Sequence, residues 1–166
     1  MRINRCWPVI LRDSGLTLLE VLLVVAILGV LAATVAPGGA ALVQSYRLKE
    51  AAEMVASDLR LVQQRAVAGE GSNWRITFNL GGDRHRYLVR QVVKGTSWVR
   101  ELPTGIAFAG DINVGPWYNQ VWFNLEGTPN SGAIDIIIPL VDERSGRRIF
   151  VKVAGTTGRV LVTERW

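Results

Sequence analysis

The pattern of hydrophobic and polar positions changes character twice along the chain. Positions 16–36 read LTLLEVLLVVAILGVLAATVA, a nearly continuous apolar run. As a helix rising about 1.5 Å per residue, it spans about 30 Å, the thickness of a bilayer's hydrocarbon core. Across 37–69 the apolar positions instead recur at intervals of three and four. Leu48, Ala51, Val55, Leu59, Val62 and Ala66 fall on one helical face, while Arg47, Lys49, Glu50, Glu53, Asp58, Arg60 and Gln63 to Arg65 take the others. This predicts an amphipathic helix with too few heptads for a coiled coil, closing at Gly69-Glu70-Gly71-Ser72. Over 73–166 the period shortens to two. Trp74–Leu80 and Tyr87–Val93 alternate about Gly81-Gly82-Asp83 and predict a hairpin. Further strands are expected at Trp98–Leu102, Ile106–Ala109, Val121–Leu125, Ile134–Leu140, Ile149–Val153 and Val160–Thr163, with Gly, Pro, Asn and Ser between them. That makes about eight strands, expected to be antiparallel.

Charge adds an orientation. Of 19 Lys+Arg against 14 Asp+Glu, Arg2, Arg5 and Arg12 precede the apolar run, and no matching cluster directly follows it. The positive-inside tendency therefore places 1–15 in the cytoplasm and the rest outside. Glu20 is anomalous in this setting, because a carboxylate near the centre of a membrane helix costs about 2.5–3.5 kcal/mol. Three readings of the segment compete. It is a secretory signal cut near Ala32, Ala33 or Ala36; or a plain anchor whose Glu20 snorkels to the interface; or a helix in which Glu20 has a job.

The residues that carry the third reading resemble a known signal. A basic leader ending in Gly15, then Leu16-Thr17-Leu18-Leu19-Glu20 and an apolar helix, is similar to the class III prepilin signal of type IV pilins and type II secretion pseudopilins. The resemblance implies cleavage by a prepilin peptidase between Gly15 and Leu16, and N-methylation of Leu16. Leucine stands at 16 where phenylalanine is commonest in that family. Glu20 becomes the fifth mature residue, placed to register subunits against the terminal ammonium of a neighbour's Leu16; a pair with its own Leu16 amine is the local alternative. Gly29 and Pro37 match positions of helix flexibility in the family, although Pro37-Gly38-Gly39 also reads as the end of the membrane helix.

The run Leu59–Ala66 and the ending Gly158-Arg159-Val160-Leu161-Val162 further resemble H-type minor pseudopilins and related minor pilins. The implied fold is α+β and pilin-like: a long N-terminal helix, half transmembrane (16–36) and half amphipathic (37–69), packed on a C-terminal antiparallel β-sheet domain (73–166). The implied role is a minor subunit of a pseudopilus or type IV pilus that supports protein secretion. Its partners would be the prepilin peptidase, other pilin subunits at a filament tip and the inner membrane. The single cysteine, Cys6, lies in the leader, so the disulfide loop of a major pilin cannot form.

Candidate chemistry beyond assembly is sparse. His85 is the only histidine, flanked by Arg84 and Arg86, and is expected as a solvated hairpin residue. Asp142-Glu143 lacks the spaced oxygens of a calcium loop and reads as a solvated turn. With no nucleophile and base pairing, no phosphate loop and no metal-ligand cluster, neither enzyme activity nor a cofactor or metal is expected. Nucleic acid is the alternative partner. Arg144, Arg147, Arg148, Arg159 and Arg165 crowd the late sequence near tryptophans, the composition of a DNA-binding minor pilin in an uptake pilus, although Asp142, Glu143 and Glu164 are interleaved.

Overall fold

A computed structural model of the chain describes residues 17–70, 73–110, 112 and 119–164, with backbone alone for 33–41. It divides into two units, Met1–Ala41 and Leu42–Trp166. One helix, α1 (Leu18–Arg65, 48 residues), contributes to both. Its backbone is helical at Pro37, Gly38 and Gly39, so the expected ending there is not observed. Proline removes one backbone donor from a ladder that both neighbouring segments propagate strongly, and a long helix tolerates that local loss. The helix ends instead in a π turn, Ala66–Glu70, where Gly69 takes a φ of 97° that stops propagation.

In the first unit the apolar side chains from Leu18 to Leu31 are exposed, Leu18 at 80 % and Val30 at 67 %. Among the described residues no helix is long and apolar enough to cross a membrane. The expected span at 16–36 includes Leu16 and the side chains from 33 onward, which lie outside the described residues.

The second unit holds the core. Eight strands follow the helix: β1 (Trp74–Leu80), β2 (Asp83–Gln91), β3 (Ser97–Glu101), β4 (Ile106–Phe108), β5 (Gln120–Val121), β6 (Ile136–Asp142), β7 (Arg148–Val153) and β8 (Val160–Thr163). All pairings are antiparallel, in two four-stranded sheets ordered β3-β2-β1-β5 and β4-β6-β7-β8. Leu48, Ala51, Val55, Leu59, Val62 and Ala66, the predicted apolar face, are all buried and share one core with both sheets. Phe108 of the second sheet sets its ring edge-on to Phe78 and Tyr87 of the first, at centroid distances of 5.2 and 6.1 Å, which joins the two layers.

β3, β4 and β7 differ from the expected limits by one residue at one or both ends, while β2, β5 and β6 differ by two or more, for local reasons. The β1–β2 turn is Gly81-Gly82 alone, with Leu80 opposite Asp83, so β2 begins early and ends at Gln91, where Gly95 N–H closes the next turn onto Gln91 O at 3.1 Å. β5 is two residues long because Asn124 accepts from Thr128 N–H at 2.8 Å and turns the chain where a strand was expected to continue. Asp135, expected within β6, instead pairs with Lys152 at 2.7 Å and accepts from Gly155 N–H at 2.9 Å; the Lys152 bond first, and then Gly155, hold its carboxyl below the usual range.

Polar contacts lock α1 onto the sheets at two places. Gln63 Nε2 donates to Gly127 O (2.8 Å) and Gly158 O (3.1 Å), while Arg60 reaches Val160 O at 3.4 Å. The two stretches that carry the family resemblance within this unit thus meet in space. Asp58, placed by periodicity on a polar face, is 4 % exposed. It accepts from the Tyr87 hydroxyl at 2.8 Å and from Arg100 Nε at 3.2 Å. Burial first, and then the Asp58 carboxylate, drive the Tyr87 hydroxyl far above its ordinary pKa, so it serves as a donor at every physiological pH.

Replacing Asp58 with alanine orphans that buried hydroxyl, and about 2–3 kcal/mol of unfolding free energy should be lost in urea titration. Adding Tyr87→Phe removes the orphaned group, so the double variant should lose less than the sum of the two single changes. Strict additivity would show that the bond contributes nothing.

Candidate functional site

The segment that carries the prepilin resemblance begins at a helix cap. Thr17 lies just before α1; its carbonyl accepts from Glu20 N–H (3.0 Å) and Val21 N–H (3.2 Å), and its Oγ1 also accepts from Glu20 N–H at 3.3 Å. Thr17-Leu18-Leu19-Glu20 therefore has the spacing of a capping box, a signal present in the sequence that the family resemblance alone passes over. The cap observed is made by Thr17, and the spacing offers Glu20 a reciprocal capping role beside the registering one. Glu20 sits in the first turn, where its charge complements the positive end of the helix dipole. Its side chain is exposed, and among the described residues it has no ion-pair partner. Gly15, Leu16 and Cys6 lie outside the described residues. Gly29 is in α1 with open space where a side chain would project, and Pro37 is helical in backbone.

The late arginines do not form one patch. Arg144 and Arg147 lie in the β6–β7 turn and Arg148 begins β7, whereas Arg159 follows the β7–β8 turn, beyond the other end of β7. A strand of six residues separates the two ends by about 17–20 Å. Arg165 lies outside the described residues. The first three arginines instead meet the start of the amphipathic half of α1. Arg147 Nη1 donates to Ser45 Oγ; Arg147 and Arg148 line a hollow with Ser45, Tyr46 and Lys49; Arg144 lines another with Gln44 and Arg47.

Of the acidic pair beside them, Glu143 is exposed in a solvated turn as expected, whereas Asp142 is not. Asp142 is 3 % exposed and caps the turn, accepting from Arg144 N–H at 3.0 Å and from the Ser145 hydroxyl at 2.7 Å. The Ser145 hydroxyl, then the backbone N–H groups of Arg144 and Ser145, hold its carboxyl below the usual range. Its oxygens are thereby committed to the turn rather than offered to a cation. Glu143 pairs with Arg84 at 3.2 Å. His85 is about half exposed in β2, the second strand of the hairpin, as expected. Its Nδ1 is 3.0 Å from Ile106 O and its Nε2 is 3.9 Å from Glu143, so it helps to tie the two sheets. Among the described residues no three His, Cys, Asp or Glu side chains gather to hold a metal.

Comparison with known proteins concerns the first unit alone. The family model described as the prokaryotic N-terminal methylation motif matches residues 10–36, the class III prepilin signal of type IV pilin-like proteins. The matched residues bracket Gly15, Leu16, Thr17, Glu20 and Gly29. No curated protein and no solved structure matches the chain.

Proposed function

We propose, from the prepilin signal at residues 10–36, that this chain is a structural subunit of a filament of the type IV pilin kind, in its finer assignment an H-type minor pseudopilin serving protein secretion. A prepilin peptidase cuts between Gly15 and Leu16 on the cytoplasmic side and methylates Leu16. The apolar run holds the subunit in the inner membrane as a single pass, with the Leu42–Trp166 unit outside, until helix packing draws it into the filament. Glu20 sets the register, and Gly29 and Pro37 let the helix adapt to its neighbours. No step of this is catalytic.

The observation that carries the reading is the motif match, which spans both the cut site and Glu20. The fold supports it: an amphipathic helix half buried against antiparallel sheets is the implied layout of such a subunit. The nucleic-acid alternative would rest on Arg144, Arg147 and Arg148 without Arg159, which is held a strand's length away.

Mass spectrometry of the amino terminus of the membrane-extracted protein tests the proposal. The expected terminus is Leu16 carrying one methyl group. A chain retaining residues 1–15, or one beginning near Ala36, would overturn it.

A further inference from the structure

The Leu42–Trp166 unit begins a few residues after the apolar run, and its fold gathers positive charge around its first residues. Arg47 and Lys49 of α1 are joined there by Arg144, Arg147 and Arg148, residues about a hundred positions later, through the Arg147–Ser45 hydrogen bond and the two hollows that flank it. Asp142 and Glu164 are the carboxylates lining those hollows. Asp142 keeps its charge, because the Ser145 hydroxyl and the backbone N–H groups that hold it are neutral, so five cations stand against two carboxylates. Tyr46, 70 % exposed, stands among them.

We propose that this basic collar docks on the anionic headgroups of the membrane that holds the apolar run. The inference rests on the membrane reading of positions 16–36. Ser45 lies nine positions beyond residue 36 along helical backbone, about 14 Å at helical rise. The headgroup layer is about 5–8 Å deep on each side, and screening at physiological salt acts over about 8 Å, so the tether keeps the collar within reach of the surface potential. Anionic lipid attracts each nearby Lys or Arg, and an exposed tyrosine suits the membrane–water boundary.

The placement also avoids a conflict with topology. Orientation during insertion is set by charges close in sequence to the apolar run, where Arg2, Arg5 and Arg12 lead. Arg144, Arg147 and Arg148 arrive only when the β6–β7 hairpin folds, after orientation has been decided, so they can face the outer headgroups without reversing the span.

The test labels arginines in the full-length chain reconstituted in vesicles of phosphatidylcholine alone, or with about one third phosphatidylglycerol. An arginine-specific dicarbonyl is used, and each site is read by mass spectrometry. Labelling of Arg144, Arg147 and Arg148 should slow by about five-fold or more in the anionic vesicles and recover at high salt, while Arg159 labels equally in both. Equal rates at the three sites in both vesicles, with the chain still resistant to alkaline extraction, would overturn the collar and leave the membrane span standing. A chain that extracts from both vesicles overturns the span and the collar together. Protection of the three sites by a short DNA duplex, exceeding that by anionic lipid, would replace lipid with nucleic acid.

Discussion

Gly158→Ala should lower the unfolding free energy of the sheet unit by about 3–4 kcal/mol, because three costs fall on one atom. A Cβ at this position would sit 1.9 Å from Gly127 O and 2.4 Å from Gln63 Nε2, distances no real side chain occupies. The backbone φ of 67° adds about 1 kcal/mol for any L side chain. The relief movement separates the atoms that Gln63 joins, which removes up to two hydrogen bonds worth about 0.5–1.5 kcal/mol each. For a unit of this size the thermal midpoint should fall by roughly 10–15 °C. Gly132→Ala provides the control: its φ is 66°, but nothing lies within 4 Å of the added atom, so only the backbone cost of about 1 kcal/mol applies. Equal losses in the two variants would mean that the close approach at Gly158 has no energetic weight.

That junction also shows what could be read from the chain beforehand. Leu59–Ala66 and Gly158–Val162 stood out by resemblance, yet nothing local says that Gln63 reaches across 95 positions to Gly158. Periodicity found what depends on neighbours in sequence. Every residue assigned to the apolar helical face is buried, and β1 and β8 have the predicted limits. It failed where a distant partner overrides local chemistry. Asp58 belongs by type on a solvated face, but Tyr87 and Arg100, 29 and 42 positions away, satisfy it inside the unit. Asp142 is a different case: its donors are local, two and three residues on, and the turn they close buries a carboxylate whose type suggests solvent. The late arginines read as one cluster because sequence distance hides β7 between them. For the segment matched by the methylation motif the sequence was the fuller source, since Gly15 and Leu16, the proposed cut, lie outside the described residues; the structure added the Thr17 cap.

That cap sharpens the second large effect, the loss of filament incorporation expected from removing the charge at Glu20. Glu20→Ala removes a carboxylate that opposes insertion by up to about 2.5–3.5 kcal/mol, so membrane levels of the subunit should hold or rise. A desolvated, charge-assisted bond to a neighbour's terminal ammonium is worth about 1.5–3 kcal/mol, so incorporation should fall about 10- to 100-fold. Alanine alone leaves the cause ambiguous, because it also removes the side chain from the third position of the Thr17 capping box. Glu20→Gln separates the roles: glutamine serves a capping box as glutamate does, but carries no charge. If register depends on the ion pair, Glu20→Gln should fail to incorporate as severely as Glu20→Ala, as read by the subunit's share in sheared filaments against its share in membranes. Wild-type incorporation of Glu20→Gln would reduce the carboxylate to a helix cap. A pair closed within one chain gives a third pattern, in which the inserted pool shrinks while the fraction of it that enters filaments stays constant.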